Sequence, residues 1–361
     1  MNDFKKEYQA IKPEIDGAIG TMLASGWYIL GEESKKFEKN FADYIGTKYA
    51  IGVANGLEAL QISLMALGIG AGDEVITVSN SAVATSLAIT NTGATPVFVD
   101  VDEYYHMDLA AVEAAITPKT KAIMPVHLFG QLIDITGLQE LAKKHNLHIV
   151  EDACQAHGAA LNDKKAGSFG ILGCFSFYPT KNLGGYGDGG AITTDSEELY
   201  EQCVMLRNYG QKTRYIHLIK GMNSRLDEIQ AAILNVKLTH LDTFVANRNK
   251  VATMYFDLLK DVKQITLPKV REGHTHAFHL FAILAENRDG LMKYLNDNGV
   301  QSLVHYPIPI HKQQCYAEYN DIKLEKTEKL AESLLSIPIH PFMDESEAKL
   351  VAEKIKEFYK G

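Results

Sequence analysis

The sequence predicts an α/β fold, with a mostly parallel sheet in a large domain followed by a smaller α+β domain. Short β-rich runs alternate with helical patterns over the first 250 residues. These runs are apolar on both faces, which is typical of parallel strands buried between helices. Beyond residue 205 the pattern becomes mainly helical and then mixes short strands with two helices. We therefore expect a large domain over 1–245 and a small C-terminal domain over 246–361.

Hydrophobic period and turn residues locate the individual elements. Helical patterns cover 57–69, 86–94, 109–116 and 136–146, the last with a threonine cap, and strand patterns cover 51–56, 73–78, 95–102, 121–130, 147–153, 174–179 and 191–195. A long helical pattern at 227–259 precedes short strands at 276–284 and 302–310 and helices at 288–300 and 345–361. Ligands of such sheets bind beyond the carboxyl ends of the strands, where His127, Asp152 and Lys181 are expected.

Composition excludes several classes of protein. The net charge of -9 argues against chain-wide binding to nucleic acid or to an anionic membrane. No apolar run approaches the roughly 20 residues that a membrane span needs, and the first residues are too polar for a secretory signal. The four cysteines form no CxxC or zinc-type spacing, so we expect reduced thiols, no metal site and a cytoplasmic location.

The glycine-rich stretch GYGDGG matches the dinucleotide fingerprint G-x-G-x-x-G at Gly185, Gly187 and Gly190. That fingerprint must follow a strand and open a helix, so that a pyrophosphate meets the helix N-terminus. Here the β-branched run AITTD follows instead, which predicts a strand. These glycines therefore indicate a turn whose backbone passes close to a ligand, rather than a Rossmann site.

A better anion site is predicted at IGVANG (51–56), where a strand-like run breaks and a helix opens. The free N–H groups and the dipole of that helix start would hold a phosphate, and the hydroxyl of Ser176 could join them. From this stretch alone, an ordinary Asn-Gly helix start is an equally good interpretation, and Ser176 on its own is better explained as an ordinary strand serine.

Asp152 ends a strand with Gln155 three residues on, and Lys181 follows an apolar strand directly before the glycines. A buried acid needs a cationic partner or a hydrogen-bond donor, although a helix-capping role would also explain Asp152. A ligand with a phosphate, a carbonyl for the lysine and a basic ring nitrogen for the acid would use all these groups. Pyridoxal phosphate has all three, and it would form a Schiff base with Lys181.

With these motifs in view, the chain resembles the DegT/DnrJ/EryC1/StrS family of sugar-nucleotide aminotransferases. The resemblance runs nearly end to end, through SGWYILGEE, ANGLEAL, EDACQAHGA, FSFYPTKNLGGYGDGGAI, GMNSRLDEIQAAIL, HYPIPIH and SIPIHPFM. It implies the fold-type I, aspartate aminotransferase-like architecture, with a mostly parallel seven-stranded sheet in the large domain.

The resemblance also implies roles for particular residues. Lys181 would be the Schiff-base lysine and proton shuttle, Asp152 would pair with the pyridinium nitrogen, and Gln155 would bond to the ring hydroxyl. Gly56, Leu57, Glu58 and Ser176 match the phosphate cup, and Asn223 matches an asparagine from the neighbouring subunit, which implies a homodimer with shared active sites. Two positions depart from the family pattern: Leu57 replaces a common threonine, and Ala82 replaces the aromatic residue that stacks on the ring.

The stretches SGWYILGEE and VHLFGQ make the resemblance closest to enzymes that aminate the 3-keto position of dTDP-linked 6-deoxyhexoses. The implied partners are the nucleotide-linked sugar and L-glutamate. Lys212, Arg214 and Lys220 are candidate pyrophosphate contacts, with Tyr186 and His311 as weaker ones. A solvated loop, a packed tyrosine and a satisfied core histidine are the structural alternatives. The functional alternatives are amination at C4, sugar dehydration and a non-catalytic regulatory role. In the relatives that dehydrate sugars, histidine stands in place of Lys181.

Overall fold

The computed structural model describes residues 2–360. Its helices are α1 (Phe4–Ser25), α2 (Glu32–Ile45), α3 (Gly56–Ala66), α4 (Val83–Asn91), α5 (Leu109–Ala114), α6 (Ile135–His145), α7 (Glu197–Leu206), α8 (Glu228–Leu259), α9 (Arg288–Asp297), α10 (Glu325–Ser333) and α11 (Glu345–Lys360). Its strands are β1 (Tyr49–Val53), β2 (Glu74–Val78), β3 (Thr95–Val99), β4 (Thr120–Ile123), β5 (His148–Asp152), β6 (Ala160–Leu161), β7 (Lys164–Lys165), β8 (Leu172–Ser176), β9 (Gly190–Thr194), β10 (Gln211–Thr213), β11 (Ile216–His217), β12 (Ile265–Thr266), β13 (His274–Thr275), β14 (Phe281–Ala285) and β15 (Leu334–Ile337).

The main sheet has seven strands in the order β1-β9-β8-β5-β4-β2-β3. Strand β9 runs antiparallel to both of its neighbours, while β8, β5, β4, β2 and β3 pair in parallel. The predicted mostly parallel seven-stranded sheet is therefore confirmed. The reversal at β9 follows from the glycine-rich loop, which returns the chain directly from β8 to the adjacent position without a crossover helix.

Helices cover both faces of this sheet, so its strands bury apolar side chains on each side. In β5, for example, Ile149 packs in the core shared with α2, α6 and α8, whereas Val150 packs in the core shared with α3, α4 and α7. In β2, Ile76 and Val75 divide in the same way. This alternation in a continuous apolar run is what a strand buried on both faces requires.

The C-terminal part contains an antiparallel sheet of order β12-β14-β15, packed with α9 and α11. The 32-residue α8 contributes to both cores: Leu234 and Leu241 pack under the main sheet, and Tyr255 and Leu259 pack in the C-terminal core. The boundary predicted at residue 245 falls inside α8, and the division into 1–245 and 246–361 stays a prediction.

Some predicted elements are wrong in detail. The strand expected at 121–130 ends at Ile123, because the chain then turns through a short 3-10 segment, Leu128–Gly130. No strand forms at 302–310 within the described chain, since Pro307 and Pro309 lack the N–H groups that a ladder needs. Helix α6 is capped by Asp134 rather than by Thr136.

None of the helices described within residues 2–360 combines the length and the apolar character that a membrane span requires.

Candidate active site

Lys181 lies in the turn that leaves the carboxyl end of β8. Its backbone N–H donates to the carbonyl of Tyr178 at 2.9 Å, and the next side chain, Asn182, donates to the Ala277 carbonyl at 2.7 Å. The lysine is half-buried. Burial lowers the pKa of its amine, while the nearby Cys154 and Asp152 act in the opposite direction. A desolvated lysine with a lowered pKa has a larger fraction of free amine at neutral pH, which favours covalent chemistry.

Asp152 is the last residue of β5 and its side chain is buried. Its Oδ2 accepts a hydrogen bond from the hydroxyl of Thr85 at 2.8 Å, and its Oδ1 accepts one from the N–H of Cys154 at 3.2 Å. Thr85 Oγ1 also pairs with Ser81 Oγ at 2.8 Å. The hydrogen bond from Cys154 caps a short turn and not a helix, so the helix-capping interpretation does not explain Asp152. The two hydrogen bonds hold the carboxylate in one orientation near Lys181.

Gln155 connects the turn after β5 to two other parts of the chain. Its Oε1 accepts a hydrogen bond from the N–H of Phe129 at 2.9 Å, and its Nε2 donates to the hydroxyl of Tyr306 at 3.1 Å. Burial raises the pKa of Tyr306 to about 12, so this hydroxyl stays protonated near neutral pH. Tyr306 and Thr85 were not predicted as site residues. Tyr306 lies in the motif HYPIPIH, and Thr85 lies at the start of α4.

The helix start predicted as a phosphate cup forms at α3. Asn55 caps it and accepts a hydrogen bond from the N–H of Glu58 at 2.9 Å, so the amide of Glu58 is already engaged. The N–H groups of Gly56 and Leu57 belong to the first turn, which has no partners inside the helix. Ser176, at the end of β8, lies directly against this helix start. The Asn-Gly pair is thus a helix cap, and the free N–H groups beside it form a candidate anion site.

Contact between α3 and its neighbours depends on glycine at position 56. A Cβ built there would lie 2.7 Å from the Cβ of Ser176 and 2.8 Å from the Sγ of Cys154. These distances are too short for any side chain. The missing methyl group lets the helix start press against the ends of β8 and β5, which brings the amides of α3, Ser176 and Asp152 to one side of the sheet.

Asn223 lies apart from these residues, on the surface. It lines a cavity of about 440 Å³ together with Ile29, Ala54, Gly187, Asp188, Arg225, Asp227 and Gln230. Ala54 directly precedes the α3 cap, so the cavity adjoins the phosphate cup. Asn223 is exposed, which leaves its side chain available to a second copy of the chain.

The basic candidates for substrate contact are not brought together in the described chain. Lys212 and Arg214 lie on the exposed β10–β11 hairpin, where Arg214 stacks on Tyr215 at 5.1 Å. Lys220 lines a separate cavity of about 400 Å³ with Gln61 and other residues of α3 and α7. Within one chain, Lys212, Arg214 and Lys220 are therefore solvent-exposed, as the structural alternative describes.

Tyr186 is partly exposed and makes an edge contact with Tyr8 at 6.4 Å between ring centroids. His311 is fully buried: its Nδ1 pairs with Ser79 Oγ at 2.6 Å and its Nε2 with Glu328 Oε1 at 3.1 Å. Both ring nitrogens are engaged, as the core-histidine alternative requires. His127 is buried in the same manner, against Glu151 at 2.8 Å.

Ala82 is the N-cap residue of α4, one turn before the Thr85 that contacts Asp152. The start of α4 therefore lies beside the buried carboxylate. Ala82 presents a methyl group at this point and no aromatic ring.

These residues fit pyridoxal phosphate group by group. The amides of Gly56 and Leu57 and the hydroxyl of Ser176 can receive a phosphate. The half-buried amine of Lys181 can meet an aldehyde, and the oriented carboxylate of Asp152 can meet a basic ring nitrogen. The groups converge at the carboxyl ends of β5 and β8, where open α/β sheets bind ligands.

Comparison with known proteins agrees with this fit. The model of the DegT/DnrJ/EryC1/StrS aminotransferase family matches residues 9–356. A dTDP-3-amino-3,6-dideoxy-alpha-D-galactopyranose transaminase from Aneurinibacillus thermoaerophilus is 46% identical over 357 residues, 99% of this chain and 98% of that protein. A protein of Geobacillus stearothermophilus named pleiotropic regulatory protein is 44% identical over 365 residues, 100% of this chain and 98% of that protein.

Among solved structures, S. venezuelae DesV in complex with a ketimine intermediate superposes with a TM-score of 0.97 at 44% identity, covering 99% of this chain and 98% of that one. The chain therefore belongs to the DegT/DnrJ/EryC1/StrS aminotransferase family, and its cofactor is pyridoxal phosphate.

Proposed function

We propose that this protein transfers an amino group from L-glutamate to the 3-keto carbon of a dTDP-linked 6-deoxyhexose. The observation that carries the proposal is the half-buried Lys181, with its lowered pKa, next to the oriented carboxylate of Asp152. The Aneurinibacillus relative, whose name specifies a dTDP-3-amino sugar, supports the choice of sugar position and nucleotide.

The cofactor would be held by the chain's own groups at both ends. Gly56, Leu57 and Ser176 would bind its phosphate, and Asp152 would bind its ring nitrogen, with Gln155 beside the ring. When bound, pyridoxal phosphate supplies a carbonyl that condenses with amines and a ring that stabilises negative charge on the adjacent carbon. Because Glu58 already donates its amide to Asn55, the free backbone donors of the cup would be the N–H groups of Gly56 and Leu57.

Lys181 would act first as a nucleophile and then as the group that moves a proton at its Nζ. Both tasks need an amine that is not permanently protonated, and burial of Lys181 serves this need. Asp152 would keep its carboxylate aimed at the ring nitrogen through the hydroxyl of Thr85, so that no reorientation is needed during the reaction.

A homodimer would complete the site. Asn223 is exposed beside a cavity of about 440 Å³ that adjoins the α3 cap, and a second copy could reach a phosphate from that position. Lys212 and Arg214 would then serve a substrate bound by the partner rather than by their own chain. The proposed location is the cytoplasm, because all four cysteines are free.

A regulatory role is the second candidate, since the Geobacillus relative carries that name. Retention of both Lys181 and Asp152 favours catalysis over regulation alone. Amination at C4 and dehydration remain further alternatives for the sugar reaction, and product analysis separates them.

The test starts from purified protein loaded with pyridoxal phosphate. Its visible absorbance is recorded before and after L-glutamate, and borohydride reduction is followed by peptide mapping. We expect a yellow protein that bleaches with glutamate and carries its label on Lys181. Lys181→Met should abolish both signals, whereas Lys293→Met, at an exposed ion pair on α9, should leave them intact. A loaded wild-type protein that glutamate leaves unchanged would contradict the proposal.

Addition of a dTDP-3-keto-6-deoxyhexose to the bleached protein then tests the second half of the reaction. A 3-amino sugar with return of the yellow colour is the expected result. Loss of the keto sugar without nitrogen in the product would indicate a dehydratase instead, and a 4-amino product from a 4-keto sugar would move the reaction to C4.

A further inference from the structure

The glycine-rich loop that follows Lys181 is held by two polar side chains of α8. The Oε1 of Gln230 accepts a hydrogen bond from the N–H of Tyr186 at 2.8 Å, and the Nζ of Lys237 donates to the carbonyl of Gly184 at 2.6 Å. Gln230 and Lys237 are seven residues apart, so they lie on the same face of the helix, two turns apart. Together they contact the loop at two successive points, three and five residues after Lys181.

Lys237 is an unusual residue to find at this place. Its side chain is only 3% exposed, and its ammonium pairs with Glu7 of α1 and lies 4.6 Å from the ring centroid of Tyr186. A buried ammonium is costly unless it is paired and hydrogen-bonded. Here the carboxylate of Glu7, the carbonyl of Gly184 and the ring of Tyr186 stabilise the ammonium. Gly184 and Tyr186 both belong to the loop.

The same contacts explain two of the glycines. A Cβ at Gly185 would lie 2.7 Å from the Oε1 of Gln230, and a Cβ at Gly187 would lie 2.8 Å from its Nε2. Neither glycine has a positive φ, so their backbone conformation does not require glycine. Close approach of the loop to Gln230 explains both glycines, because a methyl group at either position would push the amide of Gln230 away from the loop.

We propose that Gln230 and Lys237, with Glu7 as the counter-ion, are positioning residues that hold the loop 182–187 and thereby the reacting amine of Lys181. Their hydrogen bonds go to the backbone of Tyr186 and Gly184, so they act on the amine through the loop. The inference rests on the proposed function, because it assigns Lys181 the reacting role. A displacement of about 1 Å at such an amine is enough to slow a reaction about a hundredfold.

The first experiment compares Lys237→Met with Lys237→Arg in the full-length protein. Without added cofactor, we expect Lys237→Met to speed hydrogen exchange at the amides of Lys181, Gly185 and Tyr186, which are hydrogen-bonded in the wild type. With cofactor, kcat of the glutamate half-reaction should fall about tenfold to a hundredfold, while KM for glutamate stays within about twofold. Lys237→Arg keeps the charge and the donors, and should recover most of the loss.

Arg288→Met is the matched control for lost stability. Arg288 is also a poorly exposed helix cation that donates to backbone carbonyls, those of Ala331 and Leu334, but these lie in the C-terminal part of the chain and not in the loop after Lys181. If Lys237→Met alters exchange and kcat no more than Arg288→Met does, the positioning role is wrong.

The second experiment keeps the proposal testable even if Lys237→Met does not fold. Gly185→Ala should lower kcat in the wild-type background, because the new methyl group meets Gln230. In the Gln230→Ala background, the same change should cause no further loss. An equal loss in both backgrounds would overturn the proposal. Should glutamate fail to bleach the wild-type protein, the proposed function fails, and hydrogen exchange alone still decides the positioning role.

Discussion

At position 56 a single methyl group would separate surfaces that meet in this protein. The Cα of Gly56 faces Ser176 and Cys154, and a Cβ would come within 2.8 Å of both side chains. The φ angle of Gly56 is not in the left-handed region, so the constraint is one of space alone. This residue therefore links the packing of α3 on the sheet to the shape of the predicted phosphate cup.

Gly56→Ala should lower the free energy of unfolding by about 1–3 kcal/mol, as overpacking does, and raise the Kd for pyridoxal phosphate. Denaturant unfolding and absorbance titration measure the two effects. Gly17→Ala is the matched control, because its Cβ would meet nothing within 4 Å on α1. That change should stabilise the protein slightly, since alanine has the higher helix propensity. Equal cofactor affinity in the two variants would contradict the role of Gly56.

At the scale of the element, the start of α4 decides how Asp152 is presented. Thr85 lies in the first turn of α4, which follows β2, and it donates to Oδ2 of Asp152 at the end of β5 at 2.8 Å; β4 lies between β2 and β5 in the sheet. The helix itself is short and has no side-chain cap. Its position comes from packing of Ala88 and Ile89 against α3 and the sheet, so burial of α4 orients the carboxylate.

Thr85→Val keeps the shape of the side chain but removes the hydroxyl, which leaves a buried carboxylate oxygen without its donor. We expect the free energy of unfolding to fall by about 1–3 kcal/mol and the glutamate half-reaction to slow, and Thr85→Ser to restore both. Thr253→Val on α8 is the control, because Thr253 is exposed and its hydroxyl donates to the carbonyl of Asn249 in its own helix. A Thr85→Val protein as stable and as active as the control would refute the role of this hydrogen bond.

At the scale of the whole molecule, the pKa values of buried and half-buried histidines make the stability of the fold depend on pH. Burial lowers the pKa of His157 and His276 to about 3 and that of His305 and His340 to about 4, from an ordinary value of 6.5. An unfolded chain therefore binds protons below pH 6.5 that the folded chain does not bind. The stability that these residues contribute is fully present above that pH and is lost as pH falls towards 4 and below.

The free energy of unfolding should accordingly fall between pH 7 and pH 4, measured by urea unfolding of the full-length protein at constant ionic strength. His340→Gln removes one of these groups and should make the decline shallower. His148→Gln, at an exposed position, should leave the slope unchanged. A free energy of unfolding that is constant over this range would contradict the prediction.

Local patterns were enough to locate most of the large domain. The strand predicted at 147–153 is His148–Asp152, and the one predicted at 191–195 is Gly190–Thr194. These elements could be predicted because apolar runs and turn residues act over a few neighbours in the chain. The succession of an apolar strand, one lysine and a glycine-rich loop also indicated a pyridoxal phosphate site, whose residue roles stay predictions.

The sequence by itself thus determined the fold class, the cofactor and the positions of Lys181 and Asp152. The tertiary structure alone decided what surrounds them. Thr85 donates a hydrogen bond to Asp152, Gln155 donates one to Tyr306, and Lys237 of α8 donates one to the loop after Lys181. It also decided that His311 is occupied by Ser79 and Glu328. These contacts join residues far apart in the chain, and they depend on strand order and on how α8 packs. Strand order and the packing of α8 leave no local pattern in the sequence. Hydrogen bonds between distant residues form only after the packing of apolar side chains has brought the strands and helices to their final separations.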